Sequence, residues 1–492
     1  MGAAWRIGGV LLGLLLCMGC PTGEDDDDAA DDDVADDDGG DDDTADDDGG
    51  DDDTADDDTG DDDTSPPPLP ELTIACTDSL EDVYVTPGKL PPWGPGVLGD
   101  VVRCAEEDEL SVSQVQSRLG LAGVVGVTAF SGVKVVKIAY RTTRWEGQEG
   151  VGTARVYLPD THHPDGPMPV IVATHGTTGL GDLCAPSKYE LVSDYLALPF
   201  AGQGFAVVAP DYAGLGNEGV QGYGDNADTA HSTLDAARAL RASVTPGSLA
   251  PGVIVEGHSQ GGGAALSAHA FGGSYGDGDV IGVIPFAPGW AYETEGLWGV
   301  SHFPGLVPWY GISAAVVTLQ LYADAANHVG PGHETDYFVE DIRADVEYAI
   351  QNECVFTFMA TIQALGTTCA DTLDPDFLQS VADCTDGLPA CGPPGEGYLQ
   401  RAEDNIVPID PAMGPILIQQ GMLDDSATPE RTACIVEQLT AQGATVQVCT
   451  YGKADHFNVV EQSVAFGVDW AVALATGVPL PVCKANDLPA CK

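Results

Sequence analysis

The chain has 492 residues, with 18 Lys or Arg against 77 Asp or Glu and a formal net charge of −59. That balance excludes nucleic-acid binding as a main role, because a phosphate backbone needs basic side chains to replace its counterions. Residues 24–64 hold one Glu, 25 Asp and no base; the rest is long enough for one large core or two domains, and beyond residue 25 it has no apolar stretch able to span a membrane.

Residues 1–20 read as a targeting segment. Arg6 is the only early charge, an apolar run Val10–Leu16 follows, and Gly19 stands directly before Cys20. The pattern resembles a bacterial lipoprotein signal, in which Cys20 becomes the lipidated first residue and the membrane anchor. Cys17 stands where Leu is usual, and an ordinary secretory signal is the alternative. Pro21 after the cysteine favours outer-membrane delivery by analogy. Residues 21–70 read as an Asp-rich disordered tether with a ten-residue period, DDDTADDDGG at 41–50 and DDDTADDDTG at 51–60. Blocks of like charge repel and stay extended, and Pro66–Pro68 stiffen the exit. Uniform Asp triplets lack the spaced ligands, turn Gly and bidentate acid of a calcium loop. Behind a lipid anchor, such a tract would hold a folded domain off a surface.

Eleven cysteines lie beyond Cys20, at 76, 104, 184, 354, 369, 384, 391, 434, 449, 483 and 491. In an exported chain they are expected in disulfides. None of these eleven shows C-x-x-C spacing, so no zinc site is expected. Cys434–Cys449 and Cys483–Cys491 are the local pairings the spacing suggests, although connectivity does not follow from sequence. The odd number leaves at least one thiol free or paired elsewhere.

Within 71–492 the pattern predicts strands over 132–140 and 152–158, a buried strand over 169–174, a helix over 188–201 and a buried strand over 205–209. A helix over 228–243 follows, then a strand over 253–256, a small-residue helix over 261–270 and a strand over 280–286. After a gap come a strand over 416–419, a helix over 429–441, a strand over 445–451 and a helix over 457–475. Repeated alternation of strand and helix argues for the α/β class with a mostly parallel sheet. The alternation stops between Phe286 and Ile416. An insertion of about 290–410, with an apolar helical stretch Ile312–Ala326 and four cysteines, is expected as a helical cap over the sheet.

Val253–Gly261 reads VIVEGHSQG. It places Ser259 between Gly257 and Gly261 in a G-x-S-x-G elbow, with a strand before it and a helix after it. The glycines are needed because a side chain at either flank of so sharp a turn would clash. A serine hydroxyl is a poor nucleophile until a base takes its proton. With a nucleophile of this kind the chain order is Ser, acid, His. His456 fits as the base, on a loop between the strand over 445–451 and the last helix. His258 lies inside the elbow, where side chains point away from the serine; His175 precedes the nucleophile. His162 and His163 sit in a Pro-rich loop, and the remaining five histidines suit surface, packing or cap positions. The acid should follow the strand over 416–419, in GMLDDSATP: Asp424, with Asp425 as its rival. The oxyanion needs two donors: the Gln260 N–H, and the Thr177 N–H from the loop His175–Gly179, with Thr178 as the alternative. Gly214, Gly216 and Gly219 spell G-x-G-x-x-G, but the following VQGYGDN is loop-like, whereas a dinucleotide fingerprint needs a helix opening there.

HGTTGLGDLCAPS (175–187), APDYAGLG (209–216), GHSQGG (257–262) and the QGMLDD…H set together resemble the α/β-hydrolases, and within them the secretory lipase family of fungi and actinobacteria. The resemblance covers about 130–475; the Cys-Ala-Pro-Ser segment is its most specific part. It implies an α/β-hydrolase fold with a helical cap that shapes an acyl pocket, cleavage of carboxylic esters including acylglycerols, and no cofactor. Asp424 is followed by Asp-Ser-Ala-Thr-Pro, one residue longer before the proline than usual. The acidic tether and the lipid anchor are not family features. The expected protein is an exported serine esterase or lipase acting on a small-molecule or lipid ester through Ser259, His456 and Asp424. A peptidase or polyester depolymerase of the same fold, and a non-catalytic surface binding lipoprotein, are the alternatives.

Overall fold

Residues 67–90, 92–290, 300–386, 391–483 and 488–491 are described by a computed structural model. The signal segment, Cys20 and the tether up to residue 66 lie outside them. Nine strands form a single sheet in the order β1-β2-β3-β5-β4-β6-β7-β8-β9. These are β1 (Val101–Leu110), β2 (Val133–Thr143), β3 (Glu149–Pro159), β4 (Val170–Thr174), β5 (Val207–Pro210), β6 (Val253–His258), β7 (Val280–Phe286), β8 (Ile416–Gly421) and β9 (Val446–Tyr451). The pairs from β1 to β3 and the β3–β5 pair are antiparallel; every pair from β5 through β9 is parallel.

Helices α1 (Val112–Leu121), α2 (Glu190–Ala201) and α12 (Val459–Thr476) cover one face, with Val115, Leu119, Leu196, Val464 and Trp470 in its core. Helices α3 (Asn226–Ser243), α4 (Gln260–Phe271) and α11 (Pro429–Ala441) cover the other, with Leu234, Leu240, Leu266 and Ile435. Strands β4, β5, β6 and β8 are buried at every residue, because a strand covered on both faces has no wet side. β4 is flanked by β5 on one side and β6 on the other. The chain leaves β4 toward β5 and leaves β6 toward β7, in opposite directions across the sheet, which opens a crevice at the carboxyl ends of β4 and β6.

Between β7 and β8 lie α5 (Gly311–Asp324), α6 (Arg343–Asn352), α7 (Val355–Leu365), α8 (Cys369–Thr372), α9 (Pro375–Thr385) and α10 (Gly395–Asp404). They share a separate apolar cluster that includes Trp309, Leu319, Tyr337, Phe338, Phe358 and Phe377. Among the described residues no helix is long and apolar enough to cross a membrane.

Strand β1 and helix α1 were not expected from the sequence. The strand reads VVRCAEEDEL, too acidic for a strand pattern. The sheet tolerates it as an edge because neighbouring bases meet its acids: Lys137 lies 3.0 Å and Arg155 2.8 Å from Glu107, Lys134 2.7 Å from Glu106 and Arg118 2.8 Å from Asp108. Helix α1 opens on a capping box between Ser111 and Gln114.

Among the described residues five disulfides form: Cys76–Cys104, Cys184–Cys354, Cys384–Cys391, Cys434–Cys491 and Cys449–Cys483. The expected pairings Cys434–Cys449 and Cys483–Cys491 are incorrect. Cys434 is buried under one face of the sheet and Cys449 under the other, so the sheet separates them and each pairs with a different cysteine of the C-terminal tail. Cys369 is the free thiol among the described residues, its pKa pushed up to about 11 by burial.

Candidate active site

Ser259 follows the last residue of β6 and precedes the first of α4, with φ 56° and ψ −114°. A positive φ is costly for a residue with a Cβ, and three contacts hold it. The Ser259 N–H donates to Phe286 O at 2.9 Å, and the Thr174 hydroxyl reaches Glu256 O at 2.6 Å and Gly261 O at 2.8 Å. A Cβ on Gly257 would collide with the Thr174 hydroxyl, and one on Gly261 with the Thr174 carbonyl. Strand β4 therefore packs against the elbow closely enough to require both glycines.

His456 lies on the loop between β9 and α12, and Asp424 on the turn after β8. His456 Nε2 is 2.9 Å from Ser259 Oγ, and His456 Nδ1 is 2.8 Å from Asp424 Oδ2. A carboxylate only accepts, so Nδ1 carries the proton and the Nε2 lone pair is free to accept from the serine hydroxyl. Asp424 Oδ1 accepts from the Ser426 and Ala427 N–H groups at 2.8 and 2.9 Å. His456 and Asp424 are buried, whereas Asp425 is exposed. Ser259 is half-buried.

The loop after β4 lies beside Ser259: a Cβ built on Gly176 would sit 3.6 Å from the Ser259 Cβ. The Thr177 hydroxyl bonds Tyr223 OH at 2.6 Å, and Thr178 O accepts from the Val355 N–H at 2.8 Å. The Cys184–Cys354 disulfide joins the same loop region to the start of α7. Among the described residues, neither the Thr177 nor the Gln260 N–H has an acceptor, and both polar atoms of the Gln260 side chain are buried without a partner.

The Cys-Ala-Pro-Ser segment and the APDY segment interlock: Asp211 accepts from the Ser187 N–H at 2.7 Å and the Thr153 hydroxyl at 2.7 Å, and also from the Ser187 hydroxyl. Burial pushes the Asp211 pKa up to about 6. His175 is buried and held neutral, its pKa lowered to about 4 by burial, with Nε2 3.3 Å from Asp211 O. The Gly214–Gly219 segment is a loop, and the next helix opens only at Asn226. His258 reaches the His456 loop: its Nε2 lies 2.6 Å from His456 O. Sequence spacing carried no signal of that contact.

Exposed apolar side chains border this site. Leu423 and Phe457 each adjoin a member of the Asp424–His456 pair, and the Phe457 ring lies 6.0 Å from that of Phe356 on α7. A cavity of about 280 Å³ between α5, α10 and residues 222–225 shares Tyr223 with the Thr177 loop. Among the described residues no group of three or more His, Cys, Asp or Glu is placed to hold a metal ion.

The sheet, its flanking helices and the serine elbow at the carboxyl end of β6 define an α/β-hydrolase fold. Residues 190–285 match the family model described as secretory lipase. Among solved structures, the chain is similar to the rice cell wall degrading esterase LipA from Xanthomonas oryzae: TM-score 0.57, 18% identity, 77% of this chain and 97% of that one. A putative hydrolase from Legionella pneumophila gives TM-score 0.60 at 19% identity over 76% of this chain and 98% of that one. Candida antarctica lipase A in its closed state gives 0.58 at 15% identity over 84% and 90%. No curated protein matches the chain in sequence.

Proposed function

We propose that this protein is an exported serine hydrolase that cleaves carboxylic esters through an acyl-enzyme. The observation that carries this reading is the Ser259–His456–Asp424 chain of hydrogen bonds, at 2.9 and 2.8 Å, on a strained elbow. The secretory lipase match and the five disulfides support ester cleavage outside the cytoplasm. Ser259 Oγ attacks the ester carbonyl while His456 Nε2 takes its proton. The Thr177 and Gln260 N–H groups, which have no acceptor among the described residues, receive the oxyanion. His456 then gives its proton to the leaving alcohol and later takes one from the water that hydrolyses the acyl-serine, which returns Ser259 and releases the acid. Asp424 holds the Nδ1–H tautomer throughout. The exposed apolar rim of Leu423, Phe457 and Phe356 suits an acyl chain. Cys20 would anchor the enzyme in a membrane and the acidic tether would set it off that surface.

The test is hydrolysis of p-nitrophenyl esters from acetate to palmitate, with Ser259→Ala beside the wild type. The variant should lose at least about 10⁴-fold in kcat, and a fluorophosphonate probe should label the wild type alone. An unlabelled wild type without ester turnover would sink the enzymatic reading and favour a binding protein. Labelling without ester turnover would point to peptides or polyesters instead.

A further inference from the structure

We propose that His258 is a positioning residue that fixes the His456 loop, and with it the imidazole, in line with Ser259. The inference rests on the hydrolase reading above. His258 Nε2 lies 2.6 Å from the His456 carbonyl, 198 residues away in sequence. A carbonyl only accepts, so Nε2 carries a proton and donates it. The two imidazole rings are 4.9 Å apart. On its other side His258 meets the loop after β4: a Cβ built on Gly176 would come within 3.3 Å of His258 Nδ1. One buried ring thus touches the oxyanion loop and the base loop while its own backbone joins the nucleophile.

The residue type follows from what the position demands. It needs a donor at the far edge of a flat side chain and no charge, because His456 becomes an imidazolium during acylation and a second cation beside it would oppose that step. Burial and the neighbouring His456 hold His258 neutral, with its pKa lowered to about 3. A Phe would keep the ring but leave the His456 carbonyl buried and unpaired. A Gln would keep a neutral donor at nearly the Nε2 position.

The experiment compares His258→Phe, His258→Gln, Ser259→Ala and wild type on p-nitrophenyl butyrate, with melting curves for each. His258→Phe should lose about 10- to 100-fold in kcat at a KM within about twofold, the signature of a displaced base rather than weakened substrate binding. His258→Gln should recover to within about fivefold of wild type. A folded His258→Phe with wild-type kcat, or a His258→Gln as slow as His258→Phe, would overturn the inference. Wild-type protein with ¹⁵N-labelled histidines should also show a slowly exchanging Nε2–H signal that His258→Gln lacks. Its absence overturns the inference even if His258→Phe does not fold. Turnover unchanged in Ser259→Ala would withdraw the hydrolase reading and this inference together; a loss in Ser259→Ala without one in folded His258→Phe removes this inference alone.

Discussion

Asp424→Asn removes one charge and reverses one hydrogen bond. Asp424 Oδ1 accepts two backbone N–H groups, from Ser426 at 2.8 Å and Ala427 at 2.9 Å. Only the amide oxygen of Asn can replace it there, so the amide NH₂ must turn toward His456 Nδ1, 2.8 Å from the present Oδ2. Two donors cannot face each other, and the ring takes the Nε2–H tautomer. Nε2, 2.9 Å from Ser259 Oγ, then has no lone pair with which to accept the serine proton. The expected loss is about 10⁴-fold in kcat, equivalent to about 5.5 kcal/mol of transition-state stabilisation. Because the turn keeps both backbone bonds, the melting temperature should move by only a few degrees, as expected for about 1 kcal/mol or less. Asp425 is exposed and accepts from the Ser426 hydroxyl at 3.3 Å; Asp425→Asn should stay within about twofold of wild type. Initial rates on p-nitrophenyl butyrate and thermal melts measure both variants. A folded Asp424→Asn that keeps more than about a tenth of wild-type kcat, a loss under about 1.4 kcal/mol, would refute the reasoning. So would an Asp425→Asn that falls further than Asp424→Asn.

Four further outcomes are expected. Gly261→Ala should lower the urea midpoint by the equivalent of about 2–3 kcal/mol, since its Cβ would meet the Thr174 backbone; an unchanged midpoint would mean the elbow packs more loosely than described. The native state holds His258 neutral down to about 3 and His175 down to about 4, while unfolded histidine takes a proton below about 6.5. These two groups therefore remove stability as pH falls from about 6.5, against an opposite contribution from Asp211 and Asp228, whose native pKa values are raised to about 6 and which favour the folded state on acidification. The melting-temperature gap between wild type and His258→Gln should accordingly shrink from pH 7 to pH 4.5, as expected from the loss of one such group; a constant gap would contradict the assignment. Removing both Cys184 and Cys354 should cost about 2–5 kcal/mol and lower kcat, because the start of α7 is tied to Thr178 beside that disulfide; full activity in the double variant would separate α7 from the site. Phe457→Ser should raise KM for p-nitrophenyl palmitate several-fold and leave acetate unchanged; equal effects on both would remove Phe457 from the acyl path.

Much of the sheet was legible along the chain because its central strands are short, mostly apolar and bounded by turns. The strand Val280–Phe286 and the helix Pro429–Ala441 fall where their patterns place them. The elbow was legible for a local reason: steric need at Gly257 and Gly261 leaves a mark within five residues. The acidic strand Val101–Leu110 was not, since the bases that neutralise it stand on other elements, from Arg118 to Arg155. Helices α6 to α10 escaped for a related reason. They are short and amphipathic around their own cluster, so their pattern has meaning only once that cluster exists.

By itself the sequence determined what local chemistry can specify: an acidic, cysteine-bearing chain, an alternating α/β order, a serine on a tight turn, and a short set of histidines and acids in the right chain order. Tertiary structure alone decided which distant groups meet. It set Asp424 rather than Asp425 against His456, sent Cys434 and Cys449 to opposite faces of the sheet, and laid His258 on a carbonyl 198 residues away. A turn or a strand depends on neighbours a few residues off, which a single sequence displays; a contact across the crevice depends on how every strand between its partners is ordered, and that order is a property of the packed whole.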